Sequence, residues 1–146
     1  MILREEQVIP DLANRLRPAV MKLARRLRQM TADPFGPSSS QLSAMAVLLE
    51  SGSQRIGALA AAEKMQPPSM TRIVNSLEER GLVTRAPDPS DGRQCFVALT
   101  ESGREILLAN RRRRDEWLAV RIAELSPADR DVLRHAVDIL DRVNHA

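Results

Sequence analysis

Ser69, Thr71, Arg72 and Asn75 put two hydroxyls, a guanidinium and a carboxamide within one short stretch. These are the groups that hydrogen-bond to phosphates and to base edges. No comparable grouping supports catalysis. His135 and His145 lie far from Cys95, His135 sits among charged residues, and His, Cys, Asp and Glu nowhere recur at metal-ligand spacing. A structural or solvated role is the better reading of both histidines, and no enzyme activity, metal or cofactor is expected.

A helix must position these polar groups. Pro67 and Pro68 lack backbone donors, which suits a first helical turn, and Gly81 stands where a left-handed residue closes the other end, so the helix is expected from about Pro67 to Arg80. Met70, Ile73, Val74 and Leu77 form its core-facing stripe. At about 100° per residue the opposite stripe holds Pro68, Arg72, Asn75 and Glu79, flanked by Ser69, Thr71 and Ser76. The hydroxyls crowd toward the helix start, where unpaired N–H groups also attract anions. For the helix alone, a solvated face of an ordinary amphipathic helix fits equally well.

The segment after the helix shifts that balance. Leu82, Val83 and Thr84 are β-prone, Pro87 to Gly92 is dense turn chemistry, and Gln94 to Leu99 is β-prone again. The pattern predicts a hairpin with a long tip. Arg93 stands at the exit of that tip two residues after Asp91, whose carboxylate is placed to orient the guanidinium toward a narrow minor groove. Arg85, on the ascending strand, is placed to meet a phosphate. A local Asp91–Arg93 ion pair that merely stiffens the turn is compatible with the same residues.

Residues 55 to 103 resemble the DNA-binding core of the MarR family of bacterial transcription regulators. The resemblance is carried by Leu59-Ala60, Pro67-Pro68-Ser69-Met70-Thr71-Arg72, Leu77-Glu78-Glu79-Arg80-Gly81-Leu82-Val83, Asp91-Gly92-Arg93 and Leu99-Thr100-Glu101-Ser102-Gly103. Linked motifs in one order are more specific than any one alone. The flanking helices fit the same order, least well over residues 1 to 36. The implied fold is mainly α: a winged helix-turn-helix with a small antiparallel β wing and flanking dimerisation helices. One domain over 1–146 is expected, with residues 37–100 as the winged-helix core and 1–36 and 101–146 as dimerisation helices.

Composition agrees. A chain of 146 residues with 43% hydrophobic residues can bury one core. Aromatics are 2% and tyrosine is absent, which argues against stacking platforms for RNA or single strands and leaves duplex recognition. The net charge of +3 comes wholly from residues 1–36, which carry seven basic and four acidic side chains; every later segment balances. Any DNA contact therefore rests on where Arg72, Arg85 and Arg93 are held. The start MILREEQ has no apolar stretch of a signal peptide, the run Ala44 to Leu49 is too short for a bilayer, and one cysteine excludes an internal disulfide framework. A cytoplasmic protein with no membrane partner is expected.

The other helices follow from caps and stripes. Leu12, Leu16, Val20, Leu23, Leu27 and Met30 share one face, with a kink expected between Asn14 and Pro18, and Phe35-Gly36-Pro37 ends the segment. Ser38 and Gln41 form a capping box for a helix to about Glu50, closed by Gly52. A short strand near Gln54 to Ile56 and a helix from Gly57 to Lys64 come next. Thr100 caps a long helix to about Glu124, and Ser126-Pro127 opens the last, striped by Leu133, Ala136, Val137, Leu140 and Val143. Such stripes either pack inside one chain or bury each other in a two-fold dimer. Arg111 to Arg114 span about 300° of helix azimuth, so most should be solvated or paired with Glu105, Asp115 and Glu116 rather than form a phosphate patch.

By resemblance, the protein is a homodimeric repressor on an inverted-repeat operator in double-stranded DNA. Pro68, Ser69, Thr71, Arg72 and Asn75 would read or position the major groove. Arg93, held by Asp91, would enter the minor groove, with Arg85 and Gln66 on the backbone. A small effector would bind where the winged core meets the dimer helices, with Met45, Leu48, Leu107 and Trp117 as conceivable walls, although plain core packing is the better account of each. Cys95 lies in the second wing strand, unlike the N-terminal cysteine of the family's peroxide-sensing branch, which makes thiol sensing doubtful. The competing reading is a winged-helix protein interaction module without a specific operator.

Overall fold

The computed structural model describes the backbone of residues 2–146 and the side chains of residues 6–146; the side chains of most of the MILREEQ start lie outside the described residues. The chain runs α1 (Ile2–Met30), α2 (Ser39–Ser51), β1 (Gln54–Arg55), α3 (Ile56–Ala62), α4 (Pro67–Glu79), β2 (Val83–Asp88), β3 (Asp91–Leu99), α5 (Glu101–Ala123) and α6 (Pro127–Asn144). The three strands form one antiparallel sheet in the order β1-β3-β2. This is the mainly helical winged helix-turn-helix that the sequence predicts.

Helix ends follow local chemistry. The Ser38 hydroxyl accepts the Gln41 backbone N–H while the Gln41 side chain accepts the Ser38 N–H, completing the capping box of α2. Helix α4 begins on its two prolines and ends in a Schellman turn: the Gly81 N–H reaches the Glu78 carbonyl and the Leu82 N–H the Leu77 carbonyl, both at 2.9 Å. Gly81 has φ +71°, which a residue with a Cβ adopts at a cost. The first helix ends at Met30, five residues before Phe35, and runs past Pro10 and Pro18 without ending at either.

The core lies under the winged region. Met45 from α2, Leu59 from α3, Met70, Val74 and Leu77 from α4, and Val83 and Val97 from the sheet are fully buried together. Each such side chain withdrawn from water contributes about 1.5–3 kcal/mol, which locks α4 against α2 and α3 by its predicted stripe. The outer helices differ. Helix α6 has no buried residue, and Leu133, Val137 and Val143 on it are exposed, as are Leu12, Leu16 and Val20 on α1. Packing within the chain therefore does not account for these stripes.

Candidate nucleic-acid interface

Helix α4 and its cap hold Gln66, Pro68, Arg72 and Asn75 exposed, with Ser69 and Thr71 half-buried beside them. The buried stripe sets this face, because Met70, Val74 and Leu77 must point into the core. Two flanking hydroxyls are already engaged. Thr71 donates to the Pro67 carbonyl at 3.0 Å, leaving only acceptor capacity, and Ser76 accepts from the Gln41 amide at 2.9 Å, which ties α4 to α2. Arg72 forms no ion pair among the described residues.

The wing differs from the sequence expectation in its tip. Strand β2 continues through Pro87 to Asp88 and β3 begins at Asp91, so the turn is only Pro89-Ser90, with an irregularity between Pro87 and Asp88. Pro87 is tolerated because β2 is an edge strand whose outer side needs no donor. Asp88 shapes the turn: its carboxylate accepts the Ser90 backbone N–H at 2.9 Å and the Ser90 hydroxyl at 2.8 Å, and it is paired with the Arg55 guanidinium. These donors, the Ser90 backbone N–H first, hold the buried Asp88 carboxyl below the ordinary aspartate range despite the opposing effect of burial. Arg55 also lies over the Phe96 ring, 5.5 Å from its centre, so the wing is fastened to the start of α3.

Arg93 is exposed on β3. Asp91 does not grip its guanidinium; the carboxylate accepts the Arg93 backbone N–H at 3.1 Å instead. The main chain at Arg93 is thus fixed while its side chain stays available, with no ion pair among the described residues. Arg85 has turned inward. Its guanidinium donates to the Asn75 side-chain oxygen and lies 3.6 Å from the Glu78 carboxylate, joining the wing to α4.

Two hollows flank α2. One of about 650 Å³ lies between the end of α1, the loop to α2, and α5, with Arg28, Asp33, Arg80, Asn110, Arg113 and Arg114 in its wall. The other, of about 680 Å³, is lined by Leu107, Asn110 and Arg114 among others. Of the four candidate effector-pocket residues, Met45, Leu48 and Leu107 belong to the core, and of these three Leu107 borders the second hollow. Trp117 is half-buried on α5, with Arg121 stacked 3.5 Å and Arg26 5.7 Å from its ring centre. In the arginine run Arg112 and Arg113 are exposed, as expected of solvated residues, but the pairing is not with sequence neighbours: Arg111 meets Glu50 of α2 at 3.3 Å, and the Arg114 Nε is buried without a partner among the described residues. Helix docking, rather than proximity along the chain, chose that partner.

Arg55 and Asp88 are structural residues whose roles no motif reveals. Asp88 resembles one more turn residue between two prolines, and Arg55 has no visible partner because 33 positions separate the pair. Thr100 caps α5 as its place in the sequence predicts, but its hydroxyl also donates to the Gly81 carbonyl at 2.7 Å. Through it the end of α4 and the start of α5 become one joint.

The MarR family model matches residues 38–95, the stretch from the α2 capping box into the second wing strand. An HTH-type transcriptional regulator of Mycobacterium tuberculosis is 50% identical over 130 residues, covering 88% of this chain and 90% of that one. The HTH-type transcriptional repressor NicR of Pseudomonas putida is 31% identical over 100 residues, 68% of this chain and 63% of that one. Among solved structures, a MarR family protein of Bacillus stearothermophilus superposes with a TM-score of 0.79 at 25% identity, covering 97% of this chain and 98% of that one. Helix, wing and relatives agree: the chain belongs to the MarR family and is a helix-turn-helix, DNA-binding transcriptional regulator rather than an enzyme.

Proposed function

We propose that the protein acts in the cytoplasm as a homodimeric repressor that binds an inverted repeat in double-stranded DNA near a promoter. The observation that carries this reading is the pair of exposed arginines, Arg72 on α4 and Arg93 on the wing, held on one winged unit with no ion pair among the described residues. Arg72 with Pro68, Ser69, Thr71 and Asn75 serves the major groove, Gln66 the backbone, and Arg93 the minor groove. Support for the dimer comes from the uncovered apolar residues of α1 and α6, since a soluble chain rarely leaves such stripes in water. A two-fold pair would set its reading helices on half-sites roughly 10 bp apart or a multiple of that. The repressor assignment follows the named repressor among the relatives.

A small effector would act at the first hollow. Four arginines against one aspartate in its wall favour an organic anion, and the site touches α1, α2 and α5 together, where a ligand can alter the spacing of the two reading helices.

Mobility shift tests the core of this reading. Duplex from upstream of the protein's own gene should bind tightly, with salt sensitivity, and a scrambled duplex of equal composition much more weakly. Equal affinity for the two would overturn it.

A further inference from the structure

Asn75 is the carboxamide on the exposed face of α4, and a free carboxamide reads adenine well: its oxygen accepts from N6 while its nitrogen donates to N7. In this chain the oxygen is occupied. Arg85 of β2 donates its Nη2 to Asn75 Oδ1, and its Nε stands 3.6 Å from the carboxylate of Glu78, one helical turn beyond Asn75. The arginine is half-buried, 26% exposed along its side chain, so it is held against α4 from two points rather than waving in solvent. Asn75 Nδ2 has no hydrogen-bond partner among the described residues.

We propose that Arg85 is a positioning residue that locks the Asn75 amide with its oxygen toward the wing, so that Asn75 reads acceptors and prefers guanine to adenine in the major groove. The chemistry is one of donors and acceptors. A carboxamide is planar, so turning the oxygen to Arg85 leaves the NH2 group as the end that meets DNA. Guanine offers N7 and O6, both acceptors, whereas adenine offers N7 beside the N6 donors, which face an NH2 group donor to donor. The same Arg85 contact removes this side chain from the phosphate role that its place on the wing suggests. The inference rests on the proposed duplex binding by α4.

The test is selection from a randomised duplex pool with the full chain, repeated with Asn75→Ala, Arg85→Ala and Arg85→Met. Arg85→Met keeps the buried stem and no donor, and serves if Arg85→Ala does not fold. The native chain is expected to select guanine at one position of each half-site, and Asn75→Ala to lose that preference. Either Arg85 variant should bind with the guanine-over-adenine ratio at that position reduced roughly tenfold and the other positions unchanged. Adenine at the Asn75-dependent position, a preference kept in Arg85→Met, or an affinity loss equal across all sequences, as a phosphate contact gives, overturns the proposal. A pool in which nothing enriches overturns the duplex reading and this proposal with it; an enriched pool indifferent to these substitutions overturns this proposal alone.

Discussion

A Cβ placed on Gly103 would stand 2.2 Å from the carbonyl oxygen of Leu82, so the first turn of α5 is pressed against the backbone that leaves α4. That same carbonyl accepts the Thr100 N–H at 3.0 Å, and the Thr100 hydroxyl caps Gly103 at 3.0 Å. The motif Leu99-Thr100-x-x-Gly103 and the motif Gly81-Leu82-Val83 are therefore two halves of one joint. Any shift of α5 must be felt at the end of α4.

Gly103→Ala is expected to destabilise the protein by about 1–3 kcal/mol, because the methyl group meets rigid backbone. Gly57 supplies the control. A Cβ there meets nothing within 4 Å, so Gly57→Ala should leave stability unchanged or slightly raised. Urea unfolding midpoints of the two variants check the contrast; equal midpoints would refute the close approach.

Arg93→Ala should weaken duplex binding roughly tenfold or more, the range for one charged hydrogen-bonding group, while helical content and oligomeric state stay as they are. The separation is possible because the Arg93 side chain has no ion pair among the described residues to lose. Unchanged affinity at moderate salt would remove the wing from recognition.

Asp88 makes the wing sensitive to acid. Its carboxyl is held below the ordinary range by the Ser90 donors and by Arg55, so the folded chain binds that proton less readily than the unfolded chain, whose aspartate titrates near about 3.9. The resulting stabilisation is complete above that value and disappears as pH falls through the lower, folded value. Thermal melts of the native protein and Asp88→Asn should therefore differ near neutral pH and converge in strong acid. A constant gap across that range would mean that the carboxylate charge contributes nothing.

Val137→Glu should leave the winged core folded, since Val137 is 55% exposed and α6 buries nothing within the chain. If α6 seats a second copy, a carboxylate there is buried without a partner and the dimer is lost. Sedimentation should then report a monomer, with duplex affinity falling because two half-sites are no longer met together. A Val137→Glu dimer of native affinity would place the interface elsewhere.

Local features are legible in the sequence because their causes are local. The capping box of Ser38 and Gln41, the Pro67-Pro68 start and the Gly81 close each depend on residues within a few positions, and their backbone geometry follows from donors, acceptors and φ alone. The stripe Met70, Val74 and Leu77 likewise determines which face of α4 is buried, and hence that Arg72 and Asn75 are exposed. The hairpin tip is shorter than residue types suggest. Pro87 and Asp88 carry turn chemistry by type, whereas an edge strand accommodates the one and the Arg55 pair holds the other.

By itself, then, the order of residues determined the helices, the wing and which polar face of α4 is exposed. Only the docking of β2 on α4 decided that Arg85 would hold Asn75 and Glu78, and only the docking of α5 on α2 decided that Arg111 would meet Glu50. A long, flexible cation can reach many carboxylates and amides in the unfolded chain. Which one it meets is settled when apolar burial brings two distant segments together, because packing fixes distance and orientation and the polar side chain takes the partner left within reach.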